Sequence, residues 1–373
     1  MRESVLPVDD LPLLPNSPRL IGVGTAVPSD SYSQREILDI FAIDDPRVRS
    51  VFLNSAIERR FLRLPPERED GGGRHMESQG ELLRKHRESG VDMGARALQE
   101  CLKNTGATLD DVRHLCCVTS TGFLTPGFSA MLIKELGLNP STSRLDVVGM
   151  GCNAGLNGLN SVVGWAAAHP GELALMVCVE ACSAAYVFDG TMRTSVVNSL
   201  FGDGSAAVAV VAGEPWGEDA GKAEGSRGPE VLKFASCIIP EAIGAMRYDW
   251  DDDQNKFSFF LDRDVPYVVG AHAEEVVGRL LAGTSLRRSD IEHWVVHSGG
   301  KKVIDSVMVN LGLTRHDVRH TTGVLRDYGN LSSGSFLFSY ERLLDSGVVR
   351  RGDYGVFMTM GPGSTIETAL LRY

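Results

Sequence analysis

The chain has 373 residues, with 48 acidic against 37 basic side chains and a net charge of −11; this balance excludes a nucleic-acid binder with a broad basic face and leaves any polyanionic ligand to a local basic patch. Its apolar runs, such as residues 174–179, fall far short of the ~20 residues that a membrane span needs. Seven cysteines without a CxxC pair or a histidine-rich companion spacing argue against zinc and a thioredoxin-like centre, and for reduced thiols in the cytoplasm.

Residues 1–17 scatter Glu3, Asp9 and Asp10 among prolines and read as a loose arm, not a signal peptide. Arg19–Ala26 (RLIGVGTA) predicts a strand running into a glycine turn. Gly22 and Gly24 invite a dinucleotide site, but Val27 and Pro28 stand where the third glycine belongs, and that reading fails. Ser33 and Glu36 form a capping box that opens a helix. Residues 51–64 predict a helical stretch carrying Arg59, Arg60 and Arg63, candidates for holding phosphates against the plainer reading of a solvated face.

Residues 80–104 predict a long amphipathic helix, 114–121 a buried strand and 130–136 a short helix after the Pro126-Gly127 turn. Residues 173–180 and 206–211 read as further buried strands, and 214–229, rich in Gly, Glu and Asp, as a linker between halves 18–213 and 230–373. In the second half, 231–239, 256–261, 293–296, 354–358 and 365–371 predict strands. Residues 265–282, the segment holding Ile304, Val307, Met308 and Leu311, and 335–344 predict helices. FGDGSAAVAVV at 201 and MGPGSTIETALL at 360 share a Gly-x-Gly-Ser turn before an apolar strand. The expected class is therefore α/β, two copies of one αβ unit packed face to face with their turns around a shared cleft.

One stretch organises the rest. Asp146-Val147-Val148 ends in Gly149, Gly151 and Gly155, which bracket Cys152, and Leu156, Leu159, Val163 and Ala166 follow at helical spacing. A thiol at the first turn of a helix meets free N–H groups and the positive dipole end, which favour the thiolate. The glycines let a reacting carbonyl approach the backbone. His297, before Gly299 and Gly300, and Asn330, after Gly329, are the matching polar residues at strand-end or helix-start turns. Each alone has a bland reading. Together, a thiol, an imidazole and an amide can capture an acyl group and donate two hydrogen bonds to a carbonyl that becomes an enolate. No carboxylate falls on an equivalent turn, which suits a carbanion made by losing CO2.

GMGCNAG around Cys152, His297 before Gly299-Gly300, GNLSSGS around Asn330, LFGDG with Phe201 and the terminal GPGS together resemble the type III polyketide synthases, relatives of chalcone synthase in the thiolase superfamily. The resemblance runs from about Leu20 to the C-terminus. It implies an αβαβα layered homodimer that uses free malonyl-CoA and no bound cofactor or metal. It implies that Cys152 is the acyl-accepting nucleophile, activated as a thiolate by His297, and that His297 and Asn330 stabilise the enolate. It implies gating by Phe201 and Phe259, and a cavity that includes Ser120, Thr121, Thr125, Cys182, Gly361 and Gly363, with the 120–126 loop near the dimer contact. Arg59, Arg60, Gly299, Gly300 and Lys301 are the expected CoA contacts.

Cys182-Ser183-Ala184-Ala185, Thr125-Pro126 and Gly299-Gly300-Lys301-Lys302 depart from the plant wording and point away from a phenylpropanoid starter. VFLNSAIERRF, CCVTSTGFLTPG, AMRYDWD, HSGGKKVIDSV and HTTGVLRDYGNLSSGSFLFSYERL are instead similar to bacterial members that join four malonyl-CoA units and keep the CoA ester of the cyclised product. That resemblance implies a role in glycopeptide-type antibiotic formation, with crotonase-like proteins as possible helpers in dehydration. An initiating ketoacyl synthase fed by a carrier protein and a non-catalytic chain-length subunit are the competing readings.

Overall fold

The computed structural model describes residues 14–185, 187–213 and 228–373; most of the expected arm and linker, residues 1–13 and 214–227, lies outside the described residues. The first half contributes β1 (Arg19–Ala26), β4 (Val112–Thr119), β5 (Ser143–Val148), β6 (Leu173–Glu180) and β7 (Gly204–Val211). The second contributes β8 (Glu230–Ile238), β11 (His293–Val296), β12 (Tyr354–Gly361) and β13 (Thr365–Arg372). Among the described residues these form one sheet in the order β11-β12-β13-β8-β1-β7-β6-β4-β5.

The duplication is visible in the pairing. From the seam outward, β1-β7-β6-β4 runs antiparallel, antiparallel, parallel, and β8-β13-β12-β11 repeats that pattern. β1 and β8 meet in register at Arg19 and Glu230, where the buried Glu230 carboxylate accepts from Arg19 at 3.2 Å and Arg372 at 3.0 Å.

Between the two half-sheets lie α5 (Ala154–Ala168) and α10 (Ser335–Asp345), whose apolar residues share one core with strands of both halves. A helix buried on most of its surface needs small residues to approach its neighbours. A Cβ on Gly155 would lie 2.3 Å from the Ser333 carbonyl, and one on Gly158 2.7 Å from Val118. The outer layers are α3 (Gln79–Thr105) with α4 (Phe128–Leu136) on the first half and α7 (Val265–Leu281) with α8 (Lys301–Leu311) on the second. This is the expected αβαβα sandwich, and no described helix is long and apolar enough to cross a membrane.

The helix expected over 51–64 is corrected. Asp45 caps α2 (Pro46–Leu53) with Pro46 in its first turn, and Ala56 then turns the chain through a positive φ of 62°. β3 (Arg59–Phe61) follows, antiparallel to β2 (Ser31–Ser33). The capping box at Ser33 opens α1 (Gln34–Ile40) as expected. The sequence reading passed over α6 (Met192–Leu200), β9 (Met246–Asp251), which pairs with β10 (Lys256–Leu261), and α9 (Arg319–Tyr328).

Candidate active site

Cys152 sits in a single 3-10 turn between β5 and α5. Gly149 and Gly151 make the approach through positive φ of 83° and 78°, a region that costs other residues steric strain. Gly361, at the end of β12, closes the seat: a Cβ there would lie 2.3 Å from Asn153 Oδ1 and 3.0 Å from the Cys152 nitrogen. Cys152 is 8% exposed, and its Sγ lies 3.4 Å from Ser332 Oγ.

Burial pushes the Cys152 thiol up to about 12; the Ser332 hydrogen bond opposes this and the negative Glu180 adds to it. The helix-end argument for a standing thiolate is therefore corrected. Desolvation of the charged sulfur outweighs a partial dipole charge.

His297 follows β11 directly, and its backbone N–H donates to the Met358 carbonyl at 2.8 Å. The ring is buried with Nδ1 unpartnered among the described residues, which leaves Nε2 to meet a ligand. Burial pushes its pKa down to about 3, so the imidazole is neutral. Asn330 is held by backbone bonds to Leu200 at 2.8 Å and Gly202 at 3.0 Å. Its Oδ1 accepts from the Ser332 N–H at 2.8 Å, and its amide NH2 makes no hydrogen bond among the described residues. Ser332 thus touches both Cys152 and Asn330. Ser298 Oγ, 3.5 Å from the Gly329 carbonyl, ties the residue after His297 to the one before Asn330. Among the described residues no hydrogen bond joins Cys152 directly to His297.

Phe201 and Phe259 meet edge to face, centroids 6.0 Å apart at 87°, and belong to the apolar cluster that contains Cys152 and Cys182. Ser120 and Thr121 stand on the turn after β4: Ser120 Oγ lies 2.7 Å from Ser332 Oγ, and Thr121 Oγ1 accepts from the Ala181 N–H at 3.0 Å. Thr125 is exposed, in a cis bond to Pro126. Gly363 takes φ 78°, and a Cβ there would come nearest Thr365 Oγ1 at 3.1 Å and then Ile238.

Among the CoA candidates Arg60 is also corrected. It is 1% exposed and donates from NH1 to the carbonyls of Asn198 at 2.6 Å and Phe201 at 2.8 Å, and from NH2 to Gln34 Oε1 at 2.8 Å. It anchors the Phe201 backbone and has no face for a phosphate. Arg59 is exposed beside it. Gly300, at φ 130°, opens α8, Gly299 packs on the His297 ring, and Lys301 Nζ pairs with Asp305 at 2.5 Å on the exposed face.

A carboxylate also lies close by, at the end of a strand and not on a turn: Glu180, bonded to Ser120 and Ser333. Wholly buried at the end of β6, it accepts from Ser120 Oγ at 2.9 Å and Ser333 Oγ at 2.5 Å, and from the Ser120 N–H at 3.0 Å. Burial raises its pKa and these donors lower it. The available signal was a lone acid closing the all-buried run LALMVCVE.

The chain matches the sequence profiles of the N-terminal domain of chalcone and stilbene synthases over residues 17–215 and of their C-terminal domain over 232–373. It is 69% identical over 376 aligned residues to the 3,5-dihydroxyphenylacetyl-CoA synthase of Amycolatopsis balhimycina, covering 100% of this chain and 98% of that one. It is 70% identical to the synthase of the same name from Amycolatopsis orientalis, covering 95% and 93%. The solved 1,3,6,8-tetrahydroxynaphthalene synthase of Streptomyces coelicolor, a bacterial type III polyketide synthase, superposes with a TM-score of 0.83 at 27% identity, covering 95% of this chain and 99% of that one. Two profiles that between them span both halves, and full-length identity of this order, mean that the chain belongs to the chalcone and stilbene synthase family, the type III polyketide synthases.

Proposed function

We propose that this chain joins four malonyl-CoA units, with loss of CO2, and cyclises the product to 3,5-dihydroxyphenylacetyl-CoA. The observation that carries the reading is Ser332, hydrogen-bonded to Cys152 Sγ and to Asn330 Oδ1 at once, which sets a nucleophile and an oriented amide donor in one buried pocket. The full-length identity to synthases of that name supports the product.

In this reading the Cys152 sulfur displaces CoA from the starter thioester; the Cys152 proton passes by way of the neutral His297 imidazole to the departing CoA sulfur, which leaves as the free thiol. The thioester carbonyl of the extender lies against His297 Nε2 and the Asn330 amide. As the carboxylate C–C bond breaks and CO2 leaves, those donors stabilise the enolate oxygen. The enolate carbon then attacks the Cys152 thioester carbonyl; the acyl–sulfur bond breaks, Cys152 is freed and the lengthened chain remains on the extender's CoA. Phe201 and Phe259 exclude water and guide the chain. Four two-carbon units supply the eight-carbon acyl skeleton; ring closure and loss of water follow, with the CoA ester kept.

The enzyme works as a cytoplasmic homodimer. β5 ends the sheet with Leu145 and Val148 exposed, an apolar edge of the kind that a second copy covers. No resident cofactor or metal is required. Arg59, Gly299, Gly300 and Lys301 line the approach of CoA, whose product feeds dihydroxyphenylglycine formation for glycopeptide antibiotics, with crotonase-like proteins aiding dehydration. The net charge of −11 disfavours a carrier-protein-fed synthase, whose acidic partner would need a basic docking face. Incubation of the purified protein with malonyl-CoA alone, followed by mass spectrometry of the CoA products, is the test. Release of CO2 and a dihydroxyphenylacetyl-CoA mass are expected; consumption only when a carrier protein is added would defeat the reading.

A further inference from the structure

α6 ends without a glycine cap, in Asn198-Ser199-Leu200 and then Phe201, whose N–H closes the last turn on the Val197 carbonyl. The carbonyls beyond that turn have no helical donor, and groups from distant parts of the chain supply them. Arg60 Nη1 donates to Asn198 at 2.6 Å and to Phe201 at 2.8 Å, Gln34 Nε2 to Ser199 at 2.6 Å, and the Asn330 N–H to Leu200 at 2.8 Å. Arg60 and Gln34 are themselves joined, Nη2 to Oε1 at 2.8 Å. A guanidinium suits this place, because its planar fork reaches several acceptors at once and its charge faces the negative end of the helix dipole.

The amide donor of the site is mounted on this end of α6. Asn330 donates its N–H to the Leu200 carbonyl and accepts from the Gly202 N–H at 3.0 Å, so its backbone brackets Phe201 in an isolated bridge. Gly329, just before it, lies against Arg60: a Cβ there would fall 3.0 Å from Arg60 Cγ and Cδ and 2.7 Å from the Leu200 carbonyl oxygen. Arg60 therefore reaches the Asn330 segment twice, through its hydrogen bond to Phe201 and through its aliphatic stem. On the other side the Ser332 N–H fixes Asn330 Oδ1 at 2.8 Å, which leaves the amide NH2 to the substrate. Burying a charge is a poor way to gain stability, yet Arg60 is 1% exposed; what the buried charge does here is gather the carbonyls that carry Phe201 and Asn330.

We infer that Arg60 is a positioning residue for the enolate-forming step: by holding the end of α6 it fixes where the Asn330 amide stands relative to the thioester carbonyl. This rests on the condensing reading of the site. The Asn330 amide and the Phe201 gate share the mount, and they differ in tolerance. An apolar ring that excludes water works over a range of positions, whereas a donor to a developing oxyanion weakens steeply with distance and angle. Loss of Arg60 therefore strikes CO2 release from malonyl-CoA before it strikes loading of the starter. A residue that only stabilised the fold would lower both in proportion to the folded fraction.

The test compares Arg60→Met and Arg60→Gln, which bring no donor to the Phe201 carbonyl, with Arg60→Lys, whose ammonium keeps one near it. Leu98→Ala, a cavity in the core beneath α3, controls for lost stability. CO2 release from malonyl-CoA and acyl loading of Cys152 are read by headspace CO2 and intact-protein mass, on protein shown to be folded by circular dichroism. Arg60→Met and Arg60→Gln are expected to lower the ratio of CO2 release to loading at least about tenfold, with KM within about twofold. Arg60→Lys recovers part of that ratio, and Leu98→Ala keeps it at the wild-type value. A ratio within about threefold of wild type in folded Arg60→Met or Arg60→Gln, no recovery in Arg60→Lys, or an equal fall in Leu98→Ala overturns the assignment. Should Arg60→Met not fold, Arg60→Gln carries the comparison. A wild-type protein that releases no CO2 from malonyl-CoA overturns the condensing reading and the inference with it; an active wild type whose ratio the variants leave unmoved overturns the inference alone.

Discussion

Replacing Gly361 with alanine isolates the seat of the nucleophile from the nucleophile itself. The added Cβ would stand 2.3 Å from Asn153 Oδ1, 2.7 Å from the Asn153 nitrogen and 3.0 Å from the Cys152 nitrogen. Asn153 can swing its amide aside, but two of the three atoms are backbone. Restoring ordinary contact needs the Asn153 nitrogen to retreat by about 0.7 Å, carrying Cys152 with it. A shift approaching 1 Å at a reacting atom costs on the order of 100-fold in rate, whereas overpacking a well-packed site costs about 1–3 kcal/mol of stability. Gly361→Ala should therefore lose roughly two decades of malonyl-CoA turnover while remaining folded, as followed by mass spectrometry of CoA products and by urea unfolding. Gly363→Ala is the control. At φ 78°, with Thr365 Oγ1 at 3.1 Å as its nearest neighbour, it should lose about 1 kcal/mol of stability to backbone strain and keep its turnover. Activity in Gly361→Ala within about threefold of wild type would refute the claim that β12 positions Cys152.

Cys152→Ala should abolish product formation with thermal unfolding nearly unchanged, since it removes one sulfur atom from a compact site; product at wild-type rate would remove Cys152 from the mechanism. His297→Ala and Asn330→Ala should block CO2 release from malonyl-CoA more than acyl loading of Cys152, as read by headspace CO2 and intact-protein mass. Arg60→Ala strands the carbonyls of Asn198 and Phe201 and should cost at least about 3 kcal/mol in urea unfolding, while Arg59→Ala should raise the KM for malonyl-CoA and leave unfolding unmoved. His86 and His297 stay neutral in the folded protein down to about 4 and about 3, but unfolded histidine takes its proton near 6.5. Below that value the unfolded chain binds more protons, so the stability these two residues contribute is complete above about pH 6.5 and lost as pH falls toward their folded values, by up to ~2.7 kcal/mol per unit for the pair. Chemical unfolding between about pH 6.5 and 4.5 measures this, and His297→Gln should flatten the slope by about half.

The residues legible in the sequence are those whose job requires a local break in pattern. Cys152 and His297 each stand where an apolar run ends at a glycine-containing turn, and Asn330 follows Gly329 at a turn, so period and punctuation together expose them. The strands of the central sheet are legible for the related reason that both faces are covered, which leaves continuous apolar runs in β6 and β7. Arg60 was misread because Arg59, Arg60 and Arg63 look like one charged helical face. The short pairing of β2 with β3 imposes a period of two, which sends Arg59 out and Arg60 in. Glu180 was missed for a deeper reason. Its donors come from the turn after β4 and from the segment before α10, 60 and 153 residues away in sequence, so no local window distinguishes it from an acid capping a strand. The same holds for the protonation of Cys152: the helix start that favours a thiolate is written in the sequence, but the burial that outweighs it exists only once β12, α5 and the 330–334 turn have closed around the sulfur.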